Sequence, residues 1–362
     1  MNKVIIAGGG TGGHIFPAIA IANALLATKK EIEILFVGAK GKMEMEKIPQ
    51  AGYNIIGIDI AGFNRNSLIK NIALPLKLAK SFLQVRTIFK QFKPNIVIGV
   101  GGYSSFPVVK FAQQKSIPTF IHESNSFAGK SNIILGKKAT AVFVANDGMG
   151  KFFPSKKIIL SGNPIRKSIV DSKINKEEAI RNFSLEKDLQ TVLIVGGSLG
   201  AKSINQCISS QLIEFKNNNI QLIWQTGKVN IDEYKAKAIG NNNVWVGEFI
   251  KEMEIAYAAA DIVISRAGAM AVSELCIVKK PVIFVPFPHA AEDHQTANAM
   301  YLVNKNAALI IKDENVNQDL VKSVIALCKN LEKQNELKEN IKKLGISNAS
   351  ETIANEILKY LN

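Results

Sequence analysis

The chain has 362 residues, of which 47% are hydrophobic and 21% charged, and its formal net charge is +15. This length and composition exclude a disordered chain and suit two α/β domains, each large enough to bury a core of its own. Cys207, Cys276 and Cys328 are too widely spaced for a disulfide framework or a metal cluster, and no run of eighteen apolar residues or secretory leader is seen, so a cytosolic chain is expected.

In chain order, the first element is an apolar strand over Val4–Ala7, followed by Gly8-Gly9-Gly10-Thr11-Gly12-Gly13-His14 and a helix. Glycines let the backbone turn sharply and approach a ligand, and the following helix offers unpaired N–H groups at its positive end. The pattern predicts a site for a phosphorylated or sugar-phosphate ligand. Gly8, Gly10 and Gly13 also fit a dinucleotide fingerprint, but the second strand, Ile32–Val37, runs into Gly38-Ala39-Lys40 without the acid that would hold a ribose. No Walker lysine follows either glycine loop, which argues against an NTPase.

Further apolar runs at 55–60, 96–100, 119–122 and 141–145 alternate with helical patterns, as a parallel sheet wrapped by helices requires. Between Ser67 and Lys93 stand Lys70, Lys77, Lys80, Arg86, Lys90 and Lys93 with no acidic residue, interleaved with Leu68, Ile69, Ile72, Leu74, Leu76, Leu78, Phe82, Leu83, Val85, Ile88 and Phe89. A basic amphipathic segment of this kind suits an anionic bilayer surface; the plainer reading is a core helix with a solvated lysine face. Nucleic acid is not expected, because no recognition motif accompanies the charge.

Pro154, Gly162 and Pro164 punctuate the middle of the chain, with a hinge expected near Ser161–Arg166. The grammar then repeats: Thr191–Val195 leads into Gly196-Gly197-Ser198-Leu199-Gly200-Ala201, and strands are expected at 221–225, 243–246, 262–265, 281–285 and 308–310. Two doubly wound sheets facing across a cleft follow, with domains at 1–162 and 163–344.

One ordered set of motifs spans almost the whole chain: GGGTGGHIFPAIAIA at 8–22, GVGGYSSFP at 99–107, HESNSFAGKSN at 122–132, SGNPIR at 161–166, GGSLGAKSIN at 196–205, GEFIKEM at 247–253, SRAGAMAVSE at 265–274 and VPFPHAAEDHQTANA at 285–299. On these motifs the chain resembles the bacterial peptidoglycan N-acetylglucosaminyltransferases of glycosyltransferase family 28, which have the GT-B fold. The resemblance implies an inverting transfer of GlcNAc from UDP-GlcNAc to the C4 hydroxyl of the MurNAc sugar in lipid I, giving lipid II and UDP. It also implies a C-terminal helix, about 345–362, that packs back onto the first domain, and a peripheral enzyme on the cytoplasmic face of the plasma membrane, touching the anionic surface through 67–93. The runner-up readings are a UDP-GlcNAc 2-epimerase, a diacylglycerol glycosyltransferase and a non-catalytic UDP-sugar sensor.

Such a displacement must stabilise a departing diphosphate and deprotonate a hydroxyl. The chain has no Asp-x-Asp pair, so no resident metal or other cofactor is expected, and cationic and helix-dipole contacts are favoured. By resemblance, Arg166, Ser198, Ala269 and Met270 are expected near the diphosphate. Ile250 is expected to meet uracil through its backbone, Glu274 to hold the ribose hydroxyls, and Gln295, with Asn298 nearby, to read GlcNAc. Asn125 is a contact to donor sugar or acceptor, while His122 and Glu123 are as readily structural. Thr11, Gly12 and Gly13 are expected to bind substrate. His14 is the candidate base, with phosphate binding or positioning as its alternative role. Ala271 replaces the family's usual threonine, which removes one side-chain hydroxyl and leaves the backbone donor.

Overall fold

Short β-branched and aliphatic runs, each followed by a helix, build two parallel sheets. The computed structural model describes residues 2–62, 74–197 and 199–361. The chain divides into one unit of residues 1–165 with 347–362, and a second of residues 166–346.

In the first unit the strands are β1 (Asn2–Ala7), β2 (Ile32–Ala39), β3 (Asn54–Ile58), β4 (Ile96–Gly99), β5 (Thr119–Glu123), β6 (Ala141–Val144) and β7 (Ile158–Leu160). They lie in the order β3-β2-β1-β4-β5-β6-β7. The helices between them are α1 (Gly12–Thr28), α2 (Glu44–Gln50), α3 (Leu74–Phe92), α4 (Ser105–Gln114) and α5 (Lys130–Gly136). Side chains of β1 alternate between two core layers, as strand geometry demands. Val4 and Ile6 join Ile15, Ile21 and Leu25 of α1, while Ile5 and Ala7 join Val85 and Ile88 of α3 and Val108 of α4. The strand β7 has no counterpart in the sequence reading: three residues before a Ser-Gly-Asn-Pro turn give too short a run to show a period, and pairing with β6 alone makes it a strand.

The second unit contains β8 (Gln190–Val195), β9 (Ile220–Gln225), β10 (Val244–Gly247), β11 (Ile262–Ser265), β12 (Val282–Phe284) and β13 (Leu309–Ile310), in the order β10-β9-β8-β11-β12-β13. Its helices are α6 (Lys167–Val170), α7 (Lys176–Arg181), α8 (Lys202–Ser210), α9 (Leu212–Asn217), α10 (Ile231–Ala238), α11 (Met253–Ala259), α12 (Ala269–Val278), α13 (His294–Val303), α14 (Val316–Lys329) and α15 (Leu331–Lys342). The chain then returns to the first unit as α16 (Ala349–Leu358), whose Ile353, Ala354 and Ile357 share the core layer of α1.

Each sheet has a point where strand order reverses, between β1 and β4 in one and between β8 and β11 in the other. Loops leaving the carboxyl ends of such neighbours diverge to opposite faces and open a crevice. Both glycine loops and the Ser265–Gly268 turn leave from these positions.

Candidate active site

At the first reversal the glycine loop after β1 meets the loop after β4. Gly102 has φ +80°, and a Cβ there would collide with the Gly9 carbonyl, so only glycine allows the two loops to touch. Thr11 caps α1 in extended conformation and Gly12 and Gly13 form its first turn, so their N–H groups point out of the helix start. His14 Nδ1 lies 3.1 Å from the Gly9 carbonyl and 3.3 Å from Thr11 Oγ1. A carbonyl can only accept, so Nδ1 carries a proton, and in the neutral ring the lone pair is then on Nε2. The imidazole edge rests against Gly101, where an added Cβ would lie 2.8 Å from Nε2.

The loop after β5 is organised by Glu123, which is buried. Its Oε1 accepts from the backbone N–H of Asn125 at 3.0 Å and from Asn125 Nδ2 at 3.2 Å. Its Oε2 accepts from the Gly129 N–H at 3.0 Å and from Asn132 Nδ2 at 2.9 Å. Four donors on one carboxylate make Glu123 the post that holds Asn125. His122 is fully buried, and burial drives its imidazole down to about 4. The Gly162 backbone opposes that shift only in part, and neither ring nitrogen makes a hydrogen bond of ordinary geometry.

In the second unit, α12 starts at Ala269 after Gly268, which offers no side-chain cap, so the N–H groups of Ala269 and Met270 open the helix. One turn on, Glu274 is 8% exposed; its Oε1 accepts from Arg166 Nη2 and its Oε2 from the Tyr257 hydroxyl, each at 3.0 Å. Burial and the charge of Glu274 raise the Tyr257 phenol well above its ordinary value, so it stays a donor. An ionised carboxylate has about four lone-pair directions, and the two used here leave one on each oxygen. Ile250 follows β10 with its side chain buried and its neighbour Phe249 exposed.

Gln295, in the first turn of α13, accepts the Phe287 N–H on Oε1 at 3.0 Å, so its amide N–H₂ is the end directed elsewhere. Asn298 is buried and donates to the Ala267 carbonyl at 3.1 Å, which makes it a strut between α13 and the turn after β11. Ser198 lies outside the described residues, as does the 63–73 stretch with Lys70, Leu68, Ile69 and Ile72. In α3 the buried stripe is Ser81, Val85, Ile88 and Phe89, whereas Leu76 and Leu83 are 76% and 65% exposed beside exposed Lys77, Lys80 and Arg86. Lys80 is paired with Asp59 at 2.9 Å. Among the described residues no helix is long and apolar enough to cross a membrane.

Two groups escaped the sequence reading. Tyr257 stands in an unremarkable helical pattern seventeen residues before Glu274, and its pairing appears only once the fold brings α11 to α12. Arg266 donates to the carbonyls of Val285 and Pro286, to Ser203 Oγ and to Asp313, and lies over the Phe287 ring at 5.7 Å. It ties the turns after β11 and β12 to the start of α8. Its place in Ser265-Arg266-Ala267-Gly268, just past a strand end, was the available signal.

Known proteins resemble this chain in sequence and in fold. Residues 4–144 match the glycosyltransferase family 28 N-terminal domain, and residues 191–354 the family 28 C-terminal domain. A protein of Phocaeicola vulgatus named UDP-N-acetylglucosamine--N-acetylmuramyl-(pentapeptide) pyrophosphoryl-undecaprenol N-acetylglucosamine transferase is 50% identical over 360 residues, covering 99% of this chain and 96% of that protein. A protein of the same name from Flavobacterium psychrophilum is 47% identical, covering 99% and 98%. The crystal structure of Acinetobacter baumannii MurG superposes with a TM-score of 0.82 at 29% identity, covering 99% of this chain and all of that one. A Staphylococcus aureus MnaA–UDP structure shares the fold at 16% identity, with a TM-score of 0.68 and coverage of 100% and 97%.

Proposed function

The chain belongs to glycosyltransferase family 28, and on that premise we propose how its residues carry out the transfer. It is an N-acetylglucosaminyltransferase of the GT-B fold that moves GlcNAc from UDP-GlcNAc to the C4 hydroxyl of MurNAc in lipid I, giving lipid II and UDP.

The observation that carries the site reading is Glu274, a buried carboxylate one turn into a helix whose start is uncapped, with one oxygen held by Arg166 and the other by Tyr257. Its two remaining lone pairs match the two hydroxyls of a ribose. Beside it, the N–H groups of Ala269 and Met270 and the guanidinium of Arg166 suit a diphosphate, with Ser198 as a further contact. The backbone of Ile250 meets uracil, and the amide of Gln295, oriented by Phe287, reads GlcNAc.

On the acceptor side, His14 Nε2 takes the proton of the C4 hydroxyl as that oxygen attacks the anomeric carbon. The bond from that carbon to the UDP oxygen breaks on the opposite face, so configuration inverts, and the charge gathering on UDP meets Arg166 and the α12 N–H groups. The N–H groups at Thr11, Gly12 and Gly13 face the pyrophosphate of lipid I, and Asn125, held by Glu123, contacts the sugars. The enzyme works on the cytoplasmic face of the membrane, where Leu76 and Leu83, flanked by Lys77 and Arg86, dock on anionic lipid.

The test is transfer of radiolabelled GlcNAc to a lipid I analogue, with a no-acceptor control and His14→Ala. Acceptor-dependent formation of a disaccharide lipid, lost in the variant, is expected. UDP-GlcNAc turnover to a soluble epimer with no transfer would overturn the assignment.

A further inference from the structure

The first glycine loop rests on a carboxylate that its own sequence does not announce. Glu44 opens α2 and is 1% exposed. Its Oε2 accepts the Gly10 N–H at 2.9 Å and its Oε1 the Ala39 N–H at 3.0 Å, joining the loop to the end of β2. The carboxylate also accounts for two glycines: a Cβ on Gly9 would fall on the Glu44 carboxyl group, and one on Gly38 would lie 2.6 Å from Glu44 Cγ. An acid does therefore stand just beyond the second strand, but its oxygens face backbone N–H groups.

The Gly10 N–H and the Gly9 C=O belong to one peptide unit. In a planar trans peptide they point in opposite directions. Glu44 accepts at one edge of that peptide, and at the opposite edge the Gly9 carbonyl faces His14 Nδ1 at 3.1 Å. A charged acceptor on the N–H polarises the peptide, strengthens the carbonyl as an acceptor and fixes the plane. We propose that Glu44 is a positioning residue for His14, acting through the Gly9–Gly10 peptide to hold the imidazole with Nδ1 protonated and Nε2 presented as the base. The proposal rests on the reading of His14 as an acceptor-side residue.

The experiment compares Glu44→Gln, Glu44→Asp and His14→Ala with the wild-type enzyme. It measures kcat, KM for each substrate, the pH profile of kcat, and UDP binding as a check on the second unit. Glu44→Gln keeps the volume but loses the charge and turns an amide toward an N–H donor. It is expected to lower kcat by about tenfold or more, move the acid limb of the profile to lower pH, and leave UDP affinity unchanged. Glu44→Asp, which keeps the charge but cannot span to both donors, is expected to fall between. Wild-type kcat and pH profile in Glu44→Gln, with His14→Ala inactive, would overturn the role of Glu44 alone. Full acceptor-dependent turnover in His14→Ala would overturn the reading beneath it. Failure of both Glu44 variants to fold would show that the carboxylate serves folding and not His14, and would equally overturn the proposal.

Discussion

Arg166 and Glu274, 108 residues apart in the chain, are joined by a hydrogen-bonded ion pair of 3.0 Å one turn into α12. The carboxylate side is nearly buried and the guanidinium half exposed. One N–H group of Arg166 thus orients the side chain while others remain for a ligand, since the fork carries five donors. Arg166→Ala is expected to weaken UDP-GlcNAc binding by ten- to a hundredfold, the loss of about 1.5–3 kcal/mol typical of a charged hydrogen bond. KM for lipid I should hold. Isothermal titration with UDP and steady-state kinetics check both.

Tyr257 bonds the second oxygen of Glu274 from a fully buried position. Removing only its hydroxyl frees the carboxylate to rotate and leaves one lone pair unmet. Tyr257→Phe should cost about 1 kcal/mol of stability and blunt the preference for UDP over 2′-deoxy-UDP. Competitive inhibition by the two nucleotides measures that ratio; an unchanged ratio would mean that Glu274 does not read the ribose through this contact.

Arg266 is held by two carbonyls, a hydroxyl and Asp313, an array that a lysine ammonium cannot reproduce. Arg266→Lys is expected to destabilise the second unit by about 2–3 kcal/mol, somewhat below the cost of breaking a buried pair outright. Trp224, buried in the core of that unit, supplies the fluorescence signal for urea unfolding.

His122 yields a pH prediction with a definite sign. Its folded-state pKa is about 4, below the ordinary imidazole value of about 6.5, because burial disfavours the charged ring. Above about pH 6.5 both states are neutral and the group is silent. As pH falls through 6.5 toward 4, the unfolded chain binds a proton that the folded chain refuses, so stability falls. Between pH 8 and pH 5 the loss is about 2 kcal/mol. Hydrogen exchange of β5 peptides at the two pH values, wild type against His122→Leu, should show this loss in the wild type and its removal in the variant.

The order of strands and glycine turns was legible because each such unit is local: an apolar run, a turn that only glycine permits and a helix start lie within about fifteen residues. The same locality marked Thr11 to His14 as a candidate ligand loop, whereas Ala269, Met270 and Glu274 were singled out by resemblance to the family. The partners of these residues were not legible. Seventeen positions separate Tyr257 from Glu274 and 34 separate Gly10 from Glu44, and neither interval has a period that marks contact. Asn298 is a further case, since a carboxamide one turn from Gln295 does not announce in sequence that its amide donates to the Ala267 carbonyl.

By itself the sequence determined the two-sheet α/β architecture, the glycine loops at both strand-order reversals and the family, because these follow from local pattern and from motifs in order. The tertiary structure alone decided which oxygen of Glu274 meets Arg166 and which Tyr257, and that Glu44 lies beneath the first glycine loop. Those pairings are set by sheet register and helix packing, which bring distant residues to within about 3 Å, and side-chain hydrogen bonds are decided at that distance.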